Sequence, residues 1–185
     1  MTVVTRRAAG QKKTAVRPAS VITPAPAGTL WCGLGEGDLV VVDTAPFIYL
    51  LEDHPDFAPQ FQGLFEAQAR GHLRIALSTI TLAEVLVGPL RHGQEALARR
   101  YERALAGFEL LPVTAEVAAT AARLRATSGL RLPDALQAAT AIECGAVALV
   151  THDRDFSRLQ GLRVVTGAPA TGQPTPRPPH SQAQS

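Results

Sequence analysis

No lysine follows Lys13 in this chain of 185 residues. A nucleotide-binding P-loop needs a phosphate-contacting lysine after a glycine-rich turn, and both are missing. Lysine Schiff-base chemistry in the folded region is excluded for the same reason. Contacts to phosphate must therefore come from arginine, backbone amides or a metal. Cysteine is almost as scarce. Cys32 and Cys144 form neither a disulfide framework nor a zinc-type spacing, and reduced thiols suit a cytoplasmic protein. No apolar run approaches the roughly 20 residues of a membrane span, so no membrane partner is expected. The N-terminus is basic and poor in acids, but it lacks the continuous apolar centre of a secretory signal. Internal repeats are absent too.

The formal charge of +2 and the basic pI of about 8.8 mislead. Residues 1–37 carry Arg6, Arg7, Lys12, Lys13 and Arg17 against Glu36 alone, a net of +4. The tail after Thr166 adds Arg177. Residues 38–166 hold 15 acids and 12 arginines, a net of −3. The basicity belongs to the tails, so overall charge does not argue for a nucleic-acid partner.

Three regions follow from composition. Residues 1–37 contain RPASVITPAPAG and few aromatics, and read as a disordered or linker extension in which Leu30, Trp31 and Leu34 are candidates for docking on the domain. A transit peptide or a start site assigned too far upstream would have the same composition. Residues 167–185 form a Pro-rich polar tail. Between them, short apolar runs alternate with helical patterns. Strands are expected at Leu39–Val42, Arg74–Ser78, Phe108–Val113, Val147–Thr151 and Leu162–Val165. Helices are expected at Phe57–His72, at Thr81–Val87 with Gly88-Pro89 as its stop, and at Gln94–Ala106. Two more are expected at Ala115–Thr127, capped by Thr114, and at Pro133–Cys144. Arg154–Leu159 reads as a short helical turn. This alternation predicts an α/β fold with a mostly parallel sheet between helical layers.

Four acids sit where expected strands end or expected helices begin: Asp43, Glu84, Asp134 and Asp153. The carboxyl edge of an open α/β sheet is where ligands bind. Four carboxylates converging there repel one another unless a cation joins them, and hard oxygen donors suit Mg²⁺ or Mn²⁺. Each acid also has a structural reading. Asp43 and Asp153 could cap the helices that follow them. Glu84 completes a T-x-x-E capping box with Thr81, and Asp134 complements a helix dipole from its first turn. If capping were the only need, Ser or Thr would serve without the repulsion.

The strings LVVVDTAPFIYLLE, STITLAEVLVG, LRLPDALQAATA and LVTHDRDF, in this order and spacing over residues 38–166, resemble the PIN-domain family, in particular the VapC-type toxins of bacterial toxin–antitoxin pairs. The resemblance implies a three-layer α/β fold and an acidic Mg²⁺ or Mn²⁺ site for cutting RNA, with the family's four acids falling on Asp43, Glu84, Asp134 and Asp153. It implies a cognate antitoxin and a homodimer as well. Asp155 matches a more variable, peripheral acid. Ala45 replaces the small polar residue often found two positions after the first Asp, which removes one supporting hydrogen bond but no metal ligand. Thr44 and Thr151 are candidates for orienting a carboxylate. Arg131 and Arg154 are candidates for holding phosphates. His152 reads as an exposed turn side chain rather than a general base. Arg99, Arg100 and Arg103 share a helix with Glu95 and Glu102, as on a solvated face.

These residues together imply a metal-dependent phosphodiesterase that activates water and leaves a 5′ phosphate, and the resemblance implies that its substrate is RNA, cut as by an endoribonuclease. A haloacid-dehalogenase-type phosphohydrolase would need an Asp at position 45 and a later lysine. A non-catalytic PIN-like module that binds RNA or protein would be expected to have lost one or more of the acids.

Overall fold

The computed structural model describes residues 31–167. Five strands form one all-parallel sheet in the order β3-β2-β1-β4-β5: β1 Leu39–Val42, β2 Arg74–Ser78, β3 Glu109–Leu111, β4 Ala148–Val150 and β5 Val164–Val165. The helices are α1 Thr44–Leu51, α2 Ala58–Ala69, α3 Thr79–Arg91, α4 Glu95–Leu105, α5 Ala115–Ser128 and α6 Leu132–Glu143.

The period of two along each strand sorts the core into two layers. Val40, Val42, Ile75, Leu77 and Val150 pack with Phe47 of α1 and Phe61 and Leu64 of α2. Val41, Ala76 and Leu149 face the other way, onto Ala138 and Ala141 of α6 and onto Phe156. Strands buried on both faces explain the unbroken LVVV and ALV runs. The alanines of α6 let that helix approach the sheet closely, and Ala135, Ala138, Ala139 and Ala141 are fully buried. Thr114 caps α5 by accepting from the Val117 N–H, and Gly129 ends it at a φ of 73°, a left-handed conformation that glycine adopts without strain.

Two expectations are corrected. Helix α3 begins earlier and ends later than Thr81–Val87. Ser78 is its cap, accepting from the Thr81 N–H at 3.2 Å, and the helix runs through Gly88-Pro89 to Arg91. Pro89 lies in the last turn, where its missing N–H costs a single hydrogen bond, and its ring is buried. The extension also ends sooner than residue 37. Trp31 packs on Phe61 with ring centroids 6.0 Å apart and donates from Nε1 to the Gln60 carbonyl at 3.3 Å. Leu34 is fully buried, and the Arg163 guanidinium donates to the carbonyls of Cys32 and Gly33. A short apolar cluster, WCGL, is enough to dock this segment in spite of its polar surroundings. Residues 1–30 and 168–185, the rest of the expected extension and tail, lie outside the described residues.

Candidate active site

Asp43 leaves β1 and caps α1. Its Oδ1 accepts from the Thr44 N–H at 2.7 Å, and its Oδ2 accepts from the Thr151 hydroxyl at 2.7 Å. Thr151 follows β4 and is fully buried. Its oxygen also accepts from the Asp153 N–H at 3.0 Å, so one hydroxyl ties the ends of the two central strands together. Asp153 lies on the rim and caps a 3₁₀ turn, Arg154–Arg158, accepting from the Asp155 N–H at 2.8 Å. Asp134 lies in the first turn of α6. Glu84 projects from α3, and its Oε2 accepts from the Thr44 hydroxyl. The capping box expected for Glu84 is not formed, because Thr81 lies inside α3 rather than at its cap. Asp43 and Asp153 do cap helical turns as well as facing the site.

The electrostatics connect these acids. Burial pushes the Asp43 carboxyl up to about 6, and the negative charges of Glu84 and Asp134 add to the shift. The bonds from Thr151 and Thr44 oppose it by favouring the carboxylate. Asp134 is also raised, by burial first and then by Asp153 and Glu84, against the pull of Arg131. Four chain segments thus deliver mutually repelling carboxylates to one mouth of the sheet. Among the described residues, no three His, Cys, Asp or Glu side chains are gathered tightly enough to hold an ion as they stand. The donors nonetheless fit a hard divalent cation in kind: all are carboxylate oxygens, and Asp43 keeps unused lone pairs on both of its oxygens. Closing the group around an ion would remove the repulsion that now raises Asp43 and Asp134.

Three residues that sequence reasoning missed or misjudged support this mouth. Gln137 of α6 is almost completely buried. Its Oε1 accepts from Ser78 at 2.8 Å, and its Nε2 donates to Thr81 at 2.7 Å and more weakly to Thr44 at 3.4 Å. The chain of donors runs from Ser78 through Gln137 and Thr44 to Glu84. Tyr49 of α1 was overlooked altogether. His152 is half-buried rather than an exposed turn residue, and its Nδ1 lies 2.7 Å from the Tyr49 hydroxyl.

Residues 40–162 match the PIN domain family. The chain belongs to that family. Among solved structures, a toxin–antitoxin complex from Klebsiella pneumoniae is 29% identical with a TM-score of 0.55, covering 69% of this chain and 96% of its own. VapBC2 from Rickettsia felis, bound to a DNA fragment from its promoter, is 26% identical with a TM-score of 0.57, covering 68% and 96%. VapC20 of Mycobacterium tuberculosis, a sarcin–ricin loop cleaving toxin, is 19% identical with a TM-score of 0.56 and shows likeness of fold alone; the match covers 70% of this chain and 99% of that one. No curated protein sequence matches significantly.

In this PIN domain the two candidate arginines differ. Arg131, Asp134 and Asp155 line one small cavity of about 110 Å³, with Ser128, Gly129 and Leu130 as its other walls. Arg154 is exposed beside Asp153. Arg99 pairs loosely with Glu95 at 3.9 Å on an exposed helix face, as expected of a solvated surface. No helix among the described residues is long and apolar enough to cross a membrane.

Proposed function

We propose that this PIN domain is a Mg²⁺- or Mn²⁺-dependent endoribonuclease and the cytoplasmic toxin of a toxin–antitoxin pair, held in check by a cognate antitoxin and acting as a homodimer. The neighbours from Klebsiella pneumoniae and Rickettsia felis support the partner, since they were solved as toxin–antitoxin assemblies. The chemistry rests on one observation above the rest. Asp43 is buried, braced by Thr44 and Thr151, and crowded by Glu84 and Asp134. Such crowding is costly without a cation to share.

Asp43, Glu84, Asp134 and Asp153 would hold the metal. When bound, the ion supplies Lewis acidity to the scissile phosphate and to the attacking water. Thr151 fixes the plane of the Asp43 carboxylate and, through the Asp153 backbone, the turn that carries the fourth acid. Thr44 holds Glu84. Arg131 and Arg154 flank the acids and can neutralise RNA phosphates that would otherwise meet only negative charge. Asp155 shares the cavity of Arg131 and stays peripheral to the reaction.

The test is cleavage of RNA by the purified protein with Mg²⁺ or Mn²⁺, with EDTA, and by the Asp43→Asn variant. Metal-dependent cutting that leaves 5′ phosphates and is lost in the variant is expected. Cleavage in EDTA with 2′,3′-cyclic ends, or near-normal turnover by the variant, overturns the assignment.

A further inference from the structure

His152 is the middle residue of the turn Thr151–His152–Asp153, whose neighbours on both sides belong to the acidic mouth. Its ring is held on several sides. Tyr49, Phe57 and Phe61 meet it edge to face, with centroids 5.3, 4.6 and 6.2 Å away and interplanar angles of 74°, 63° and 64°. Its Nδ1 pairs with the Tyr49 hydroxyl at 2.7 Å.

A phenol is a stronger hydrogen-bond acid than a neutral imidazole N–H, and an imidazole nitrogen is the better acceptor. With the phenol donating to Nδ1, the ring presents an N–H at Nε2. Burial and the charge of Asp43 both push the Tyr49 phenol up, which keeps that proton in place. Every buried side-chain nitrogen and oxygen among the described residues has a partner. Nε2 of this half-buried ring has no partner among the described residues. The result is a held N–H donor on the turn that joins Thr151 to Asp153.

We propose that His152 is a substrate-binding residue whose Nε2–H, fixed by the bond to Tyr49, donates to a phosphate oxygen of the RNA strand. The proposal rests on the ribonuclease reading above. A strand entering this mouth carries negative charge towards four carboxylates, and with no lysine in the folded region only Arg131 and Arg154 flank the acids to meet it. The aromatic collar holds the orientation of the His152 ring, so little freedom is lost on binding. A purely structural role is the rival reading: the collar would then only clamp the Asp153 turn against α1.

Affinity of a short fluorescein-labelled single-stranded RNA, kcat and KM for its cleavage, and the rise in Tm on adding Mn²⁺ separate these readings. The variants are His152→Ala, His152→Gln and Tyr49→Phe. With His152→Ala, RNA affinity should fall roughly tenfold and KM rise in step, the effect of losing one hydrogen bond to a charged group. kcat and the Mn²⁺-induced rise in Tm should stay near wild type. Gln places an amide N–H near the position of Nε2 and should recover most of the affinity, and Tyr49→Phe should lose part of it. Unchanged RNA affinity in His152→Ala, failure of Gln to recover it, or loss of the Mn²⁺ response would each overturn the proposal. A wild type that binds RNA but does not cut it would overturn the nuclease reading instead, and one that does not bind RNA would overturn both.

Discussion

The Thr151 hydroxyl donates to Asp43 at 2.7 Å while accepting from the Asp153 N–H at 3.0 Å, so one buried side chain positions two acids from adjacent strands. Thr151→Val keeps the shape and removes both bonds. The carboxylate of Asp43 loses a favourable donor, which raises its pKa further and weakens its hold on a cation. Loss of a hydrogen bond to a charged group costs about 1.5–3 kcal/mol. Mn²⁺ titration by calorimetry should show at least tenfold weaker binding for Thr151→Val and near-wild-type binding for Thr151→Ser. Equal affinity in all three proteins would remove Thr151 from the site.

Asp43 gives the metal-free protein an inverted pH dependence. Its folded pKa of about 6 stands above the ordinary value of 3.8, so the native state holds the proton more tightly than the unfolded chain. Stability from this group is full below about pH 4 and is lost as pH rises through about 6. The loss amounts to at most about 3 kcal/mol, less where solvent screens the mouth. Asp134 shifts the same way. Urea melts in EDTA should therefore show wild type weakening from pH 4 to 7. Asp43→Asn, which still caps α1, should be flatter and more stable at pH 7, and Mn²⁺ should reverse the order. A wild type with no decline over this range would show that burial and crowding do not raise Asp43.

The ends of β1 and β4 and the acids just past them, Asp43 and Asp153, were legible because both follow from local pattern. A continuous apolar run such as LVVV fits only a strand covered on both faces, and the acid after it must fall at the sheet's edge. The supports were not legible. In DALQAATA, Gln137 stands one turn after Asp134, and no local rule says that this side of α6 is buried against Ser78 and Thr81. The pairing of Tyr49 with His152 joins residues 103 positions apart and exists only once α1 and β4 are adjacent. The T-x-x-E match at Thr81 was a true pattern with the wrong register, because Ser78 competes for the cap and wins. Trp31 could be singled out as an aromatic in a polar, proline-rich context, but its partner Phe61 lies 30 positions away and no local pattern points to it.

Gln137 offers a test of how much the buried network contributes. Gln137→Leu fills similar space but leaves the Ser78 hydroxyl without its acceptor and Thr81 without its donor. Each buried group left unpaired costs about 1–3 kcal/mol. Chemical denaturation should show a loss of about 2–6 kcal/mol for the two groups together. Combining the change with Ser78→Ala should cost less than the sum of the two, because both remove the same bond. Strict additivity would mean that the bond contributes nothing.

The segment Trp31–Gly37 packs on the domain, and Gly63 is where this can be measured. A Cβ built on Gly63 would lie 2.8 Å from Cδ1 of Trp31, closer than side-chain carbons approach. In an exposed helix, Gly→Ala would stabilise by roughly 1 kcal/mol. Here it should instead displace the indole and destabilise. Trp31 is the only tryptophan in the chain, so its fluorescence reports the displacement directly, as a red shift in folded Gly63→Ala. A chain beginning at Gly37 should also melt well below one beginning at Trp31, because it loses fully buried Leu34, a side chain whose burial contributes about 1.5–3 kcal/mol. Equal melting temperatures for the two truncations, or an unshifted spectrum with raised stability in Gly63→Ala, would return the boundary to residue 37.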